Sequence, residues 1–81
     1  MNIRNVIDNY IECNNFEVKY INNKLFIYYY NDIKDFSSNE INISYNDKKL
    51  IIKGNNLVIE TMYKEYLIIN GNIKSLEFKD E

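Results

Sequence analysis

From Phe16 onward, apolar side chains recur at alternate positions, in short runs separated by polar breaks. A period of two is the mark of a β-strand, because successive side chains point to opposite faces of the sheet. Phe16, Val18 and Tyr20 alternate with Glu17 and Lys19, and residues 24–30 are strongly β-prone. Further runs cover Glu40 to Tyr45, Lys49 to Lys53, Leu57 to Met62, Tyr66 to Asn70 and Ile73 to Phe78. The breaks are Asn22-Asn23, Asn46-Asp47-Lys48, Gly54-Asn55-Asn56, Tyr63-Lys64-Glu65 and Gly71-Asn72. Each suits a tight hairpin turn or is too polar to bury. A parallel crossover needs a dozen or more residues, so breaks this short predict antiparallel neighbours. Residues 31–39 read as a loop, with Ile33 and Phe36 pointing inward. The expected fold is mainly β: a small antiparallel β-sandwich or meander of about six to seven strands.

The first fifteen residues follow a different period. Ile3, Val6, Ile7, Tyr10 and Ile11 form one stripe at helical spacing, with Arg4, Asp8 and Glu12 elsewhere. Asn2 could cap such a helix and Asn14-Asn15 could end it. About three turns of helix are marginal alone, so the segment is expected to dock on the sheet. The domain expectation is one unit over 1–81, with a helix over 1–15 and a β-rich region over 16–81. A chain of eighty-one residues buries only roughly 60–65% of the surface its unfolded form exposes, which leaves stability marginal without help. One cysteine, Cys13, cannot form a bridge within the chain. Support could come from an unusually apolar core or from oligomerisation, and 46% hydrophobic residues with eight tyrosines and four phenylalanines favour the first.

The strand faces carry more information. Leu50, Ile52, Leu57, Ile59, Leu67 and Ile69 share one parity and form a core. The other parity is not purely polar: Ile51, Val58 and Ile68 stand among Lys53, Glu60 and Asn70. A sheet with one wet face does not need this second stripe. Cover from the same chain or a partner surface, with Tyr29 added to the stripe, are the two expectations. Leu50-Ile51-Ile52-Lys53-Gly54-Asn55 also recurs seventeen residues later as Leu67-Ile68-Ile69-Asn70-Gly71-Asn72. Two copies are too few for a solenoid and read as two similar strand-into-turn units.

No chemistry emerges from the residues. Histidine, the commonest general base, is absent, and Ser37-Ser38 lie outside any nucleophile setting. Cys13 would sit near a helix end whose dipole disfavours a thiolate. Asp32 and Asp35 could do acid–base work only in a cleft that separates their pKa values. Gly54 and Gly71 stand alone and cannot cradle a phosphate. No catalytic residue, metal site or cofactor is expected. The net charge of −2 is evenly spread, which argues against nucleic acid. No apolar run approaches the roughly 20 residues of a membrane span, and the start lacks the plan of a signal peptide. A cytoplasmic protein with a reduced Cys13 is expected. Tyr28-Tyr29-Tyr30 could stack on a glycan or other flat ligand, with Tyr28 and Tyr30 on one face and Tyr29 on the other.

The order of motifs over residues 40–78 is more specific. Glu40-Ile41-Asn42-Ile43 leads into Leu50-x-Ile52-x-Gly54-x-x-Leu57-x-Ile59-x-x-Met62, then Leu67-x-Ile69-x-Gly71-x-Ile73-x-Ser75-Leu76-Glu77-Phe78. This arrangement resembles the YabP/YqfC family of sporulation proteins, and the likeness extends more weakly back to about Asn22. The resemblance implies a small β-sandwich-like domain of an endospore-forming bacterium, made in the mother cell. It also implies a gene near those of sporulation membrane proteins. It carries no enzymatic activity and no functional residues. The expected function is therefore a non-enzymatic sporulation protein that works by protein–protein contact, beside a membrane partner. The alternative is the glycan module at Tyr28, Tyr29 and Tyr30. A homodimer through a sheet edge or the Ile51/Val58/Ile68 stripe is a further expectation, because a short sheet exposes unpaired edges.

Overall fold

The structure, a computed structural model, describes residues 15–80. Six strands make up the described chain: β1 (Glu17–Ile21), β2 (Lys24–Tyr28), β3 (Asp32–Phe36), β4 (Glu40–Tyr45), β5 (Lys48–Met62) and β6 (Tyr66–Asp80). All neighbours are antiparallel, in one open sheet of order β1-β2-β6-β5-β4-β3. The expected helix over 1–15, its docking and Cys13 lie outside the described residues, apart from Asn15.

Two turns form as their sequences dictate. Asn22 and Asn23 have φ of 52° and 63°, and Asn46 and Asp47 have 45° and 62°. Two successive positive φ values make the turn whose twist matches the flanking strands. The Tyr63-Lys64-Glu65 break closes the β5–β6 hairpin, with the Tyr63 N–H donating to the Tyr66 carbonyl at 2.8 Å.

The two glycine breaks behave otherwise. Gly54-Asn55-Asn56 and Gly71-Asn72 are not hairpin turns; they lie inside the fifteen-residue strands β5 and β6. The pairing register shifts between Lys53 and Gly54 and again between Asn55 and Val58, so these are bulges that bend the hairpin. The chain crosses itself closely there. A Cβ on Gly54 would lie 2.1 Å from the Asn72 carbonyl oxygen, and one on Gly71 would lie 2.5 Å from that of Asn56. Gly71 also has φ of 127°. Four expected short strands are thus two long bent ones.

The bends fold the sheet back on itself. Ring stacking demonstrates this: Phe16, just before β1, stacks on Tyr45 of β4 with centroids 3.6 Å apart. β1 and β4 are four strand spacings apart in the sheet order, about 19 Å if it were flat. One continuous sheet therefore supplies both inner faces, in place of the two separate sheets of a sandwich. Leu25, Ile27, Leu67 and Ile69 from one half meet Ile41, Ile43, Leu50 and Ile52 from the other in one core. All eight are at most 1% exposed. Each such burial contributes about 1.5–3 kcal/mol. The expected core is confirmed, with Leu57 buried and Ile59 packed at its margin.

The β1–β2 and β3–β4 hairpins flank the central β6–β5 pair, so exchanging β1 with β3, β2 with β4 and β6 with β5 reverses the order and maps one hairpin onto the other. The cross-strand pairs follow the same exchange. Leu25–Ile69 and Ile27–Leu67 in one half correspond to Ile41–Ile52 and Ile43–Leu50 in the other. The sequence echo is this relation: each copy places Leu-x-Ile in the core and its glycine at a bend.

Residues 31–39 are not all loop. Asp32–Phe36 is an edge strand with a register shift between Ile33 and Asp35. Its polar composition hid it, because an edge strand pairs on one side only and is kept charged against aggregation. Ile33 packs on the core as expected, whereas Phe36 is 65% exposed and points outward.

Candidate functional site

The structure groups the apolar residues left outside the core. Directly opposed residues of an antiparallel pair share a face. Phe26 pairs with Ile68 and Ile68 with Thr61, while Val58 pairs with Asn70 and Asn70 with Lys24. Val58, Ile68 and Phe26 therefore share the outer face of the β2–β6–β5 half. Val58 is 57% exposed, and Ile68 and Phe26 are half-buried. Lys24 donates to Glu60 at 3.0 Å and borders this patch with an exposed ion pair.

An aromatic cluster adjoins the patch. Tyr28 stacks on its cross-strand partner Tyr66 at 5.2 Å, and Tyr63 lies 4.9 Å from Tyr66. The Lys19 ammonium sits 5.6 Å from the Tyr28 centroid. Tyr29 joins by a backbone irregularity: φ of 58° takes it out of the strand, its N–H donates to the Glu65 carbonyl, and its ring tilts 6.5 Å from Tyr28.

Two sequence expectations are revised here. The positive φ at Tyr29 breaks the alternation, so Tyr28 and Tyr30 do not share a face. Tyr28 points outward with Phe26, while Tyr30 packs on the core and donates its hydroxyl to the Tyr63 carbonyl at 3.2 Å. Ile51 also parts from Val58 and Ile68. It lies in the other half, in register between Asn42 and Glu77, and is 8% exposed. Phe26, Tyr63 and Tyr66 belong to the patch and were missed. Phe26 was findable, since it has the parity opposite to the core residues Leu25 and Ile27.

A groove opens on the neighbouring flank. It has a volume of about 1020 Å³ and runs between β3 and the second half of β5. Ile33 and Ile59 line it, with Phe36, Val58 and Met62 at its rim. Six consecutive residues, Leu57 to Met62, contribute to it. A single sheet face would contribute alternate residues, so the groove follows the edge of β5 that pairs with no strand among the described residues. Above this edge the Gly54 and Leu57 N–H groups donate to the Asn39 and Ser38 carbonyls at 3.0 and 2.8 Å.

Electrostatics offers little for chemistry. Burial, and secondarily the nearby Asp32 carboxylate, push the Tyr30 phenol above its ordinary range. Asp32 and Asp35 sit exposed on the edge strand. Among the described residues, no group of three acidic or cysteine side chains could hold a metal ion. No helix among them is long and apolar enough to cross a membrane.

A family model described as the YabP family matches residues 17–81, a span that contains all six strands. No curated protein and no solved structure matches the chain.

Proposed function

Since the chain belongs to the YabP family, we propose that it is a non-enzymatic sporulation protein acting by contact with another protein. The observation that carries the contact reading is the outer face of Val58, Ile68 and Phe26, where an aliphatic side chain stands 57% exposed beside half-buried neighbours. Contiguous apolar surface on a small domain marks an interaction site. The flanking tyrosines strengthen the reading, because aromatic residues are enriched at the centres of interfaces. The partner is a membrane protein of sporulation, met from the cytoplasmic side in the mother cell. Self-association through the same face, or through the β1 or β3 edge, is the accompanying proposal.

Disruption of the gene, followed by a count of heat-resistant spores, tests the function. A normal spore count would defeat the proposal. Val58→Asp tests the face. Val58 is 57% exposed and sits within β5, so the cost is mainly one of strand propensity, about 1 kcal/mol, and the folded protein should persist. The expected result is a cooperative melt lowered by only a few degrees, with a spore count close to that of the disrupted strain. Full sporulation by this variant would remove the face from the mechanism. Light scattering on the purified protein addresses self-association, and a strict monomer at millimolar concentration would end that proposal.

A further inference from the structure

We propose that Asn70-Gly71 is a site of spontaneous deamidation, which converts Asn70 to aspartate or isoaspartate on the outer face of the β2–β6–β5 half. The pair is the single Asn-Gly step in the sequence. In this reaction the main-chain nitrogen that follows an asparagine attacks the asparagine's own carboxamide. A glycine there has no side chain to shield the nitrogen. Every other asparagine of the chain is followed by a residue that has one.

Three structural observations support the site. First, the reacting groups meet: the Gly71 N–H donates to Asn70 Oδ1 at 2.9 Å, so the nitrogen already touches the carboxamide. Second, the β5–β6 register passes from Asn55–Asn72 to Val58–Asn70, which sets Gly71 against the bulged residues Asn56 and Leu57. Asn70 itself is exposed to water. Third, the fold requires glycine at 71 but not asparagine at 70. Gly71 has φ of 127°, and a Cβ on it would lie 2.5 Å from the Asn56 carbonyl oxygen. The sister bend has Lys53 before Gly54, so the same strand-into-bend unit forms without asparagine.

The Gly71 nitrogen gives its proton to solvent, and its electron pair forms a bond to Asn70 Cγ. The Cγ–Nδ2 bond breaks, and the amide group leaves as ammonia. Water then opens the cyclic imide. Attack at Cγ gives aspartate, and attack at the main-chain carbonyl gives isoaspartate, whose backbone runs through the side chain and is one atom longer. The new carboxylate stands in register with Lys24 and Val58. Opposed residues share a face, so the aged chain carries an acidic border beside Val58.

The test incubates the folded full-length protein for weeks in mildly alkaline buffer, with zero-time and urea-unfolded samples beside it. Anion exchange should resolve a growing species one charge more negative. Mapping of the 65–74 peptide should place the exchange of NH2 for OH at Asn70 ahead of Asn72. Asn70→Gln should remove the species, because its ring closes far more slowly. Mildly acidic buffer should slow the reaction, since the nitrogen must lose its proton. Three results overturn the proposal: no acidic species; conversion of another asparagine ahead of Asn70; or conversion in the folded sample slowed, relative to urea, by the full unfolding equilibrium constant. The last would mean that only the unfolded chain reacts.

Discussion

Gly54 and Gly71 each sit where no side chain fits, against a backbone oxygen that cannot rotate away. Gly54→Ala should cost about 3 kcal/mol, in the range where steric conflict in a packed site falls. Urea denaturation measures this. Asn23→Ala, where only the left-handed backbone is at stake, should cost about 1 kcal/mol. Leu67→Ala removes a fully buried side chain and should cost about 2–5 kcal/mol, depending on how far the site collapses. Tyr30 gives a pH signature. Its folded phenol holds its proton more tightly than the unfolded one, so its contribution is complete below the unfolded value of about 10. It is lost as pH rises through the folded value. Stability should therefore fall above pH ~10, and Tyr30→Phe should flatten that part of the profile. Absorbance titration compared with Tyr30→Phe should show the Tyr30 phenol ionising late, and Asp32→Asn should move that ionisation earlier.

At the scale of elements, the residues that spoke plainly in the sequence are those whose role is local. Asn22-Asn23 and Asn46-Asp47 specify turns because left-handed backbone is needed there and asparagine and aspartate tolerate it. Leu-x-Ile in both echoes specifies core. The glycine-asparagine pairs were ambiguous for a physical reason: positive φ and absent Cβ serve a bulge as well as a turn. Only the pairing of β5 with β6 along their full length decides between them. β3 was obscured because its partner contacts lie on one edge. The outer face was half legible. Val58 and Ile68 follow from parity, but parity cannot place Ile51, because the bends send residues 48–53 and 58–62 of one strand into different halves. The Tyr29 irregularity had no sequence signal, since tyrosine rarely adopts positive φ.

The whole molecule holds one core shared by both halves of the folded sheet. Neither half can bury its inner face alone, so unfolding should be all-or-none. Circular dichroism and tyrosine fluorescence are expected to give coincident urea transitions, and two separated transitions would mean that the halves are independent. The six ion pairs among the described residues are all exposed. Exposed pairs contribute little and are screened by salt. Raising the salt concentration should accordingly leave the midpoint nearly unchanged.

The pairing of β2 with β6 has a consequence for synthesis. Leu25 is 44 residues ahead of its partner Ile69 (69 − 25). At roughly 5–20 residues per second, a ribosome takes about 2–9 s to make the difference. Throughout that interval β2 lacks the strand that lies beside it in the sheet, and Leu25 and Ile27 lack their cross-strand partners Ile69 and Leu67. A nascent chain of this kind offers Leu25 and Ile27 to whatever binds apolar segments at the ribosome. The β2–β6 pairing itself forms only when β6 is released.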